Sequence, residues 1–454
     1  MPCILRVILF MEVFMIRKML GIFLIIVCMT GVSYAYKLSL NGYNETELRF
    51  IGNSSVGDGG SNVDNDNGTY VKQQLRIWGF LEMDEKTKLI MRITPINHRW
   101  GTSYQHNTSV IKGTAILDRA WVQYKPVNDL TIDCGFMTAA NYSIKGWAQG
   151  WYNGGFTEFG PRSGGRVEYA KDGRKYWIQY EKTYETDDSD MFYDVNHNKD
   201  SDAVIIGTDT ADNGPLKTHA YAAYYSTYGG DTDNNDRSSL GGGYVSAEYK
   251  ISENLSTTLS GSYVAGKAYD SGGIYMKGEG EDVSAYGLYG DLVFKNDSFT
   301  AGFDAEYSSY DKEKGFFSLG GDLDRMYIMD DIMGDYRGVP ASTSFRAYVT
   351  KPVGKFEVTP AIAYYMSNVK DSDVAITYGS PYNAKKTWTK DTSALELDLK
   401  ATYQVSPVIS LAGGYAVAFI DNVSTGSKDS NGNYETYDAD PVHVAWFRFT
   451  ASFK

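Results

Sequence analysis

The amino-acid sequence predicts an all-β fold, a transmembrane antiparallel β-barrel of eighteen strands. Three observations carry that expectation: an export leader, an alternation of apolar and polar residues that runs the length of the chain, and a strict succession of short turns and long polar loops.

The leader comes first. Met15-Ile16-Arg17-Lys18 gives a positive start and Met19 to Thr30 an apolar run. Ser33 and Ala35 then place small residues at the −3 and −1 positions of a Sec-type signal peptide, residues 1–35. The apolar run is shorter than the ~20 residues a spanning helix needs, so removal is expected rather than anchoring. Cleavage after Ala35 leaves one barrel domain, residues 36–454, and either Met1 or Met15 can serve as the start. Losing Arg6, Arg17, Lys18 and Glu12 with the leader deepens the net charge from −13 to −15. An acidic chain is a poor partner for nucleic acid, whose phosphates require a basic face. Cys3 and Cys28 also fall within the leader, and Cys28 lacks the small-residue context of a lipoprotein site. Cys134 alone can form no internal disulfide, and no paired Cys/His spacing suggests zinc.

Beyond the leader there is no long apolar run, and the mean hydropathy is −0.35. A helical membrane protein is therefore excluded. The first mature strand instead alternates: Leu38, Leu40, Gly42, Leu48 and Phe50 share one face, broken by Asn44 and Thr46, while Lys37, Ser39, Asn41, Glu45, Glu47 and Arg49 share the other. Side chains of a strand point alternately to its two faces, so one side meets an apolar medium and the other meets water. The last strand repeats this, with Ala445, Phe447, Phe449, Ala451 and Phe453 opposed to Trp446, Arg448, Thr450 and Ser452.

Between these ends, eight short connections have hairpin chemistry. They are centred on Asp84-Glu85-Lys86, Pro126-Val127-Asn128, Asp172-Gly173, Asn213-Gly214-Pro215, Ser252-Glu253-Asn254, Asn296-Asp297, Val353-Gly354 and Ser406-Pro407. Nine long connections rich in Asp, Asn, Gly and Ser alternate with them: 51–69, 97–114, 138–164, 185–201, 229–238, 268–280, 311–341, 368–391 and 421–441. Seventeen connections imply eighteen strands, with both termini on the short-turn side. The strand near Ala203–Thr210 rests partly on this parity, so sixteen strands is the alternative count. Short turns on the periplasmic rim and long loops outside are the layout of an outer-membrane barrel. Tyr70, Trp78, Trp100, Trp121, Tyr124, Tyr249, Tyr310, Tyr403 and Trp446 flank the strands, where amphipathic rings suit the headgroup zone. A soluble sandwich or propeller would also alternate, but not with two loop classes in strict succession. The water-facing positions carry Lys72, Gln74, Arg76, Lys88, Arg92, Arg119, Asp133, Glu168, Glu396, Asp398 and Lys400, too many charges for a dry core.

Over essentially all of residues 36–454 the chain resembles the Gram-negative outer-membrane porins, most clearly over 117–184. Leu117-Asp118-Arg119-Ala120-Trp121-Val122-Gln123-Tyr124 resembles the porin strand before a short turn. Leu130 to Met137 resembles the next strand, ending in Gly135-Phe136-Met137, and Gly165-Arg166-Val167-Glu168-Tyr169 the strand returning from the third external loop. The resemblance implies a homotrimer in the bacterial outer membrane, in contact with its lipid and lipopolysaccharide, forming a water-filled channel for passive diffusion of small hydrophilic solutes and ions. It also implies that residues 138–164 fold into the pore and constrict it. Glu158 and Arg162 then belong to the loop, with Lys145 its other basic residue, and Arg76, Arg92, Arg119 and Arg166 to the wall, with Asp133 and Glu168 on the same face. A transverse field between such groups filters solutes by charge, and the acidic loops suggest a mild cation preference. The chain departs from the porin pattern at its end, where Lys454 follows the aromatic Phe453.

One external loop, Asp194, Asn196, Asn198, Asp200 and Asp202, carries oxygen ligands at alternate positions. It is a candidate calcium site lacking the glycine and glutamate of an EF-hand. Apart from calcium there, no cofactor is expected. No Gly-x-Ser-x-Gly, His-Glu-x-x-His or phosphate-binding glycine loop occurs, so no enzyme is expected. Two other functions stand beside diffusion: a barrel sheath around an electron-transfer or polymer-export conduit, and a surface adhesin or receptor acting through its loops.

Overall fold

The computed structural model describes residues 37–52, 68–101, 116–138, 161–184, 201–210, 214–228, 237–268, 281–311, 315–316, 325–333, 339, 341–372, 376–378 and 386–453. The expected leader, residues 1–35, lies outside them. Eighteen strands form one sheet. They are β1 Lys37–Gly52, β2 Gly68–Glu82, β3 Thr87–Gly101, β4 Ile116–Val127, β5 Leu130–Thr138, β6 Pro161–Lys171, β7 Arg174–Tyr184, β8 Ser201–Thr210 and β9 Leu216–Tyr228. The second half comprises β10 Arg237–Lys250, β11 Leu255–Ala268, β12 Glu281–Lys295, β13 Thr300–Ser308, β14 Ser342–Val353, β15 Phe356–Ser367, β16 Ser393–Ser406, β17 Ile409–Asp421 and β18 Val442–Phe453. Each strand pairs antiparallel with the next, and β18 pairs back onto β1 from Gly42↔Phe453 to Gly52↔His443. Closure leaves the sheet no edge of unpaired N–H and C=O groups, the condition for crossing hydrocarbon. Eighteen strands replace the sixteen-strand alternative, and the parity-dependent strand is β8.

The short turns follow local chemistry. Asp172 and Gly173 both take positive φ, 50° and 75°, as the mirror-image turn between right-twisted strands requires. Asp84 accepts hydrogen bonds from Lys86 N at 2.7 Å and Thr87 Oγ1 at 3.0 Å, closing the β2–β3 turn.

Alternation sorts the two faces as expected. Outward lie Leu259 at 63 % exposure, Ile206 at 54 % and Phe447 at 50 %, whereas inward Glu47 and Glu396 are fully buried. Tyr124, Tyr169, Tyr176, Tyr249 and Phe356 stand exposed within a few residues of the short turns, giving that rim an aromatic girdle. Among the described residues, three of the long connections hold structure of their own. Small hairpins pair Tyr310–Asp311 with Gly315–Phe316, Ile376–Tyr378 with Lys386–Trp388, and Val423–Lys428 with Tyr434–Tyr437. Between β13 and β14, Tyr327–Met333 forms a π-helical turn. That turn lies inside the barrel against β16, β17 and β18. No helix among the described residues is long and apolar enough to cross a membrane.

Candidate functional site

The inner wall divides into sectors. The first is basic and aromatic. Arg92 on β3 and Arg119 on β4 stand directly opposite each other in register. Their guanidinium carbons lie 5.2 and 5.9 Å from the ring of Trp78 on β2, which Trp121 meets edge-on at 6.1 Å. Arg76 lies over Tyr43 at 5.9 Å and Arg166 over Trp177 at 4.9 Å. An aromatic face attracts a cation electrostatically, which eases the crowding of like charges here. Arg92 and Arg119 are buried, at 6 % and 2 % exposure, while Arg76 and Arg166 are half-buried. Arg166 bonds Glu168 at 2.8 Å, Lys175 reaches Glu168 at 3.5 Å, and Asp133 accepts from Gln123 at 3.1 Å. The sequence-predicted wall residues therefore share one face of adjacent strands. Arg162 lies in β6, Glu158 and the rest of residues 139–160 lie outside the described residues, and the expected constriction by 138–164 lies there too.

The second sector is acidic and holds an inserted segment. Strands nine apart in a closed ring of eighteen face each other, so β4 with Arg119 faces β13 with Asp304 and Glu306. Arg325, at the start of the inserted segment, bonds Asp304 at 2.8 Å, Ser344 at 3.0 Å and also Glu306. Arg346 on β14 bonds Asp304 at 2.8 Å and the Arg325 carbonyl at 2.8 Å. The carboxylate of Glu396 on β16 accepts the backbone N–H groups of Ile328 at 2.5 Å and Met329 at 2.8 Å. Asp398 accepts that of Tyr327 at 2.9 Å. These N–H groups begin a helical turn and have no partner within it, so wall carboxylates satisfy them. The Tyr327 hydroxyl donates to Glu47 at 2.8 Å, and its ring stacks on Trp446 at 4.8 Å between planes 8° apart. Glu47 also receives Arg49 and, at 2.6 Å, Arg448. Within the segment Asp330 accepts from Met326 N at 3.0 Å, and burial pushes its carboxyl up to about 7.

Apolar packing completes the seat. Met326, Ile328 and Met329 are at most 1 % exposed and lie against Ala363, Ala394, Ala416, Ala418 and Val444 of the wall. Methyl-sized side chains there leave the depth that the larger ones fill.

Glu396 and Asp398 were legible as lumen residues, but Arg325, Tyr327 and Asp330 were not. A signal existed. Strands β15, β17 and β18 are apolar on both faces, as in Ala361-Ile-Ala-Tyr-Tyr-Met366, Ala416-Val-Ala-Phe-Ile420 and Val442-His-Val-Ala-Trp-Phe447. A strand with lipid on one side and an apolar second face needs a cover inside.

A third sector, on β7 to β12, groups Trp177, Tyr221, Tyr244 and His219, with Tyr221 and Tyr244 stacked at 5.5 Å. Of the candidate calcium ligands, Asp202 lies at the outer end of β8, where Tyr180 donates to it at 2.7 Å. Asp194, Asn196, Asn198 and Asp200 lie outside the described residues. Among the described residues no cluster of three or more His, Cys, Asp or Glu could hold a metal ion.

A closed barrel with an apolar outer surface and a charged inner wall defines a transmembrane β-barrel of the outer membrane. Its architecture is that of the Gram-negative outer-membrane porins, which are channel proteins. OccAB1 of Acinetobacter baumannii matches with a TM-score of 0.53 at 13 % identity, over 92 % of this chain and 97 % of that one. OpdQ of Pseudomonas aeruginosa matches with a TM-score of 0.51 at 12 % identity, over 92 % and 99 %. OccK11 (OpdR) of the same organism matches with a TM-score of 0.50 at 11 % identity, over 92 % and 96 %. No family model and no curated protein sequence matches the chain.

Proposed function

We propose that residues 36–454 form a passive outer-membrane diffusion channel for small hydrophilic solutes and ions, whose bore the Arg325–Met333 segment narrows from one side. The carrying observation is the inner wall of a closed eighteen-strand barrel. Roughly 16–18 strands enclose a lumen too wide for side chains to fill, and here charged groups line it. With the segment seated on β14 to β18, the remaining path runs past the arginine–aromatic sector of β2 to β6. The described acids of the opposite sector are engaged: Asp304 and Glu306 by Arg325, Glu47 by Arg49 and Arg448, and Glu396 by backbone N–H groups. The cation preference suggested by the chain's acidity would then have to come from the acidic external loops, whereas 138–164, with Glu158 against Lys145 and Arg162, would constrict the path without adding to that preference.

A homotrimer fits one further observation. Asn44 and Thr46 stand on the outward face of β1, among Leu38, Leu40, Leu48 and Phe50. Polar side chains facing lipid are costly unless another surface covers them, so the β1–β18 seam is the proposed subunit contact. Lipopolysaccharide at the external loops, and a calcium ion at 194–202, remain part of the same proposal.

Single-channel recording of residues 36–454 in a planar bilayer, under a salt gradient, tests the reading. Stepwise currents that scale with salt support an open channel, and the reversal potential gives its ion preference. A folded barrel that carries no current supports the sheath or adhesin reading instead. The inserted segment is the observation that favours the sheath. The mass of the extracted assembly decides on the trimer.

A further inference from the structure

The outer surface of the barrel carries a groove of about 660 Å³ that the channel reading does not use. One wall is built from Tyr169 and Tyr176, then Val167, Ile178 and Ile206, all 41–54 % exposed on the face opposite the lumen. Its floor is Thr208, Ala220 and Ala222. Register places these in two tiers: Tyr169↔Tyr176↔Thr208↔Ala220 toward the short-turn rim, and Val167↔Ile178↔Ile206↔Ala222 one tier deeper. Thin floor beside tall wall gives a slot running along the strands. Behind the slot Gly207 has no side chain because the Trp177 ring occupies that place from the lumen side, where an added Cβ would come within 2.2 Å of it.

The rimward end of the slot is charged. Lys171 and Arg174 pair across the β6–β7 turn, one strand step beyond Tyr169 and Tyr176, on the same outward face. Both are exposed, and neither has an ion-pair partner among the described residues. Asp172 stands at the tip of the turn and Asp129 in the neighbouring β4–β5 turn, while Lys171 and Arg174 are the charges that the register sets on the outward face at the mouth of the slot. Short turns lie on the periplasmic side, so the slot opens at the headgroup level of the periplasmic leaflet.

We propose that this groove is a binding site for one anionic phospholipid of the periplasmic leaflet. An acyl chain lies over Ala220 and Ala222, its upper part passes the Tyr169 and Tyr176 rings, and its phosphate sits between Lys171 and Arg174. Apolar fit alone would not select a lipid, because bulk acyl chains are as apolar as the groove. Selection comes from shape and from the two cations. Each surface cation is worth about a fivefold gain in affinity for an anionic headgroup. The groove is of small-molecule size, within roughly 300–1,000 Å³, and a cationic mouth suits a phosphate better than an identical cationic mouth on a second copy.

The test is native mass spectrometry of the extracted barrel, titrated with phosphatidylglycerol or phosphatidylcholine. One tight phosphatidylglycerol adduct is expected, favoured over phosphatidylcholine by roughly twenty-five-fold, the product of the two cation factors. The double variant Lys171→Gln, Arg174→Gln should bring the two lipids to near equality. Ala222→Leu should reduce the adduct while leaving the barrel resistant to unfolding in cold detergent. Equal binding of the two lipids by the unaltered protein overturns the proposal, as does an adduct unchanged in both variants. Loss of oligomers in Ala222→Leu, with lipid binding intact, would assign the groove to a second copy of the chain.

Discussion

Arg325 joins the inserted segment to the wall more directly than any other side chain described. It reaches Asp304 and Glu306, with its side chain 3 % exposed and theirs 1 % and 3 %. Removing one partner of a buried charge cluster leaves the others uncompensated, at a cost of roughly 3–5 kcal/mol. Arg325→Ala is therefore expected to release the segment rather than unfold the barrel, because the eighteen-strand hydrogen-bond ring does not depend on it. Single-channel recording should show a larger mean conductance with added flicker. A conductance unchanged from the parent would mean that the segment does not bound the path. Nothing in the sequence around Arg325 separates it from the other charged residues of a long polar loop, which is why it was not legible. Its partners lie 19 and 21 residues away on the two strands that flank its own loop, and only the inward fold of that loop brings them together.

Asp429 acts locally instead. Its carboxylate accepts the N–H groups of Asn431 at 2.8 Å and Asn433 at 2.9 Å, and these bonds hold it below the usual aspartate range. A depressed carboxyl stabilises the folded tip above its unfolded pKa of roughly 3.9. That contribution is lost as pH falls through the still lower folded value. Amide exchange at Asn431 and Asn433 should therefore stay protected from neutral pH down to about 4 and lose protection only below that. Equal loss in Asp429→Ala at neutral pH would be the matching control.

At the scale of elements, strand and turn were legible because each obeys a local rule. Alternation is a property of successive residues, and Asp172-Gly173 is a turn by its own torsions. The inserted segment is not local in that sense. Ile328 and Met329 are buried because Ala363, Ala416 and Ala418 leave space for them on strands up to 90 residues later. The readable trace was the second apolar face of β15, β17 and β18. Placing a charge at the buried contact removes the apolar part of the seat and sets a second carboxylate near Glu396. Ile328→Asp should undock the segment while Asp304, Glu306 and Arg346 stay in place. Limited proteolysis should then cut within 325–333, and the parent should resist there under the same conditions. If both resist alike, the hydrogen bonds that its backbone N–H groups donate to Glu396 and Asp398 hold the segment without its apolar contacts.

At the scale of the whole molecule, the barrel is a ring whose ends meet. The first residue of β1, Lys37, and the last of β18, Phe453, belong to the same rim, with Phe453 beside Gly42. Strand number, face and rim could all be counted from the sequence, because parity links them. The sector arrangement of the wall could not, since it depends on where the Arg325–Met333 segment seats and on side-chain contacts between strands. The meeting of the ends also makes the ring indifferent to where the polypeptide is opened. A circular permutant that links Phe453 to Lys37 by a short flexible bridge, and starts instead in 229–236, keeps all eighteen strand neighbours. It should reach the same heat-resistant folded form as the parent on a cold-detergent gel. Sequence order would then be a matter of which hairpin is made first and which seam is sewn last, and the permutant would move that last stitch from β18–β1 to β9–β10.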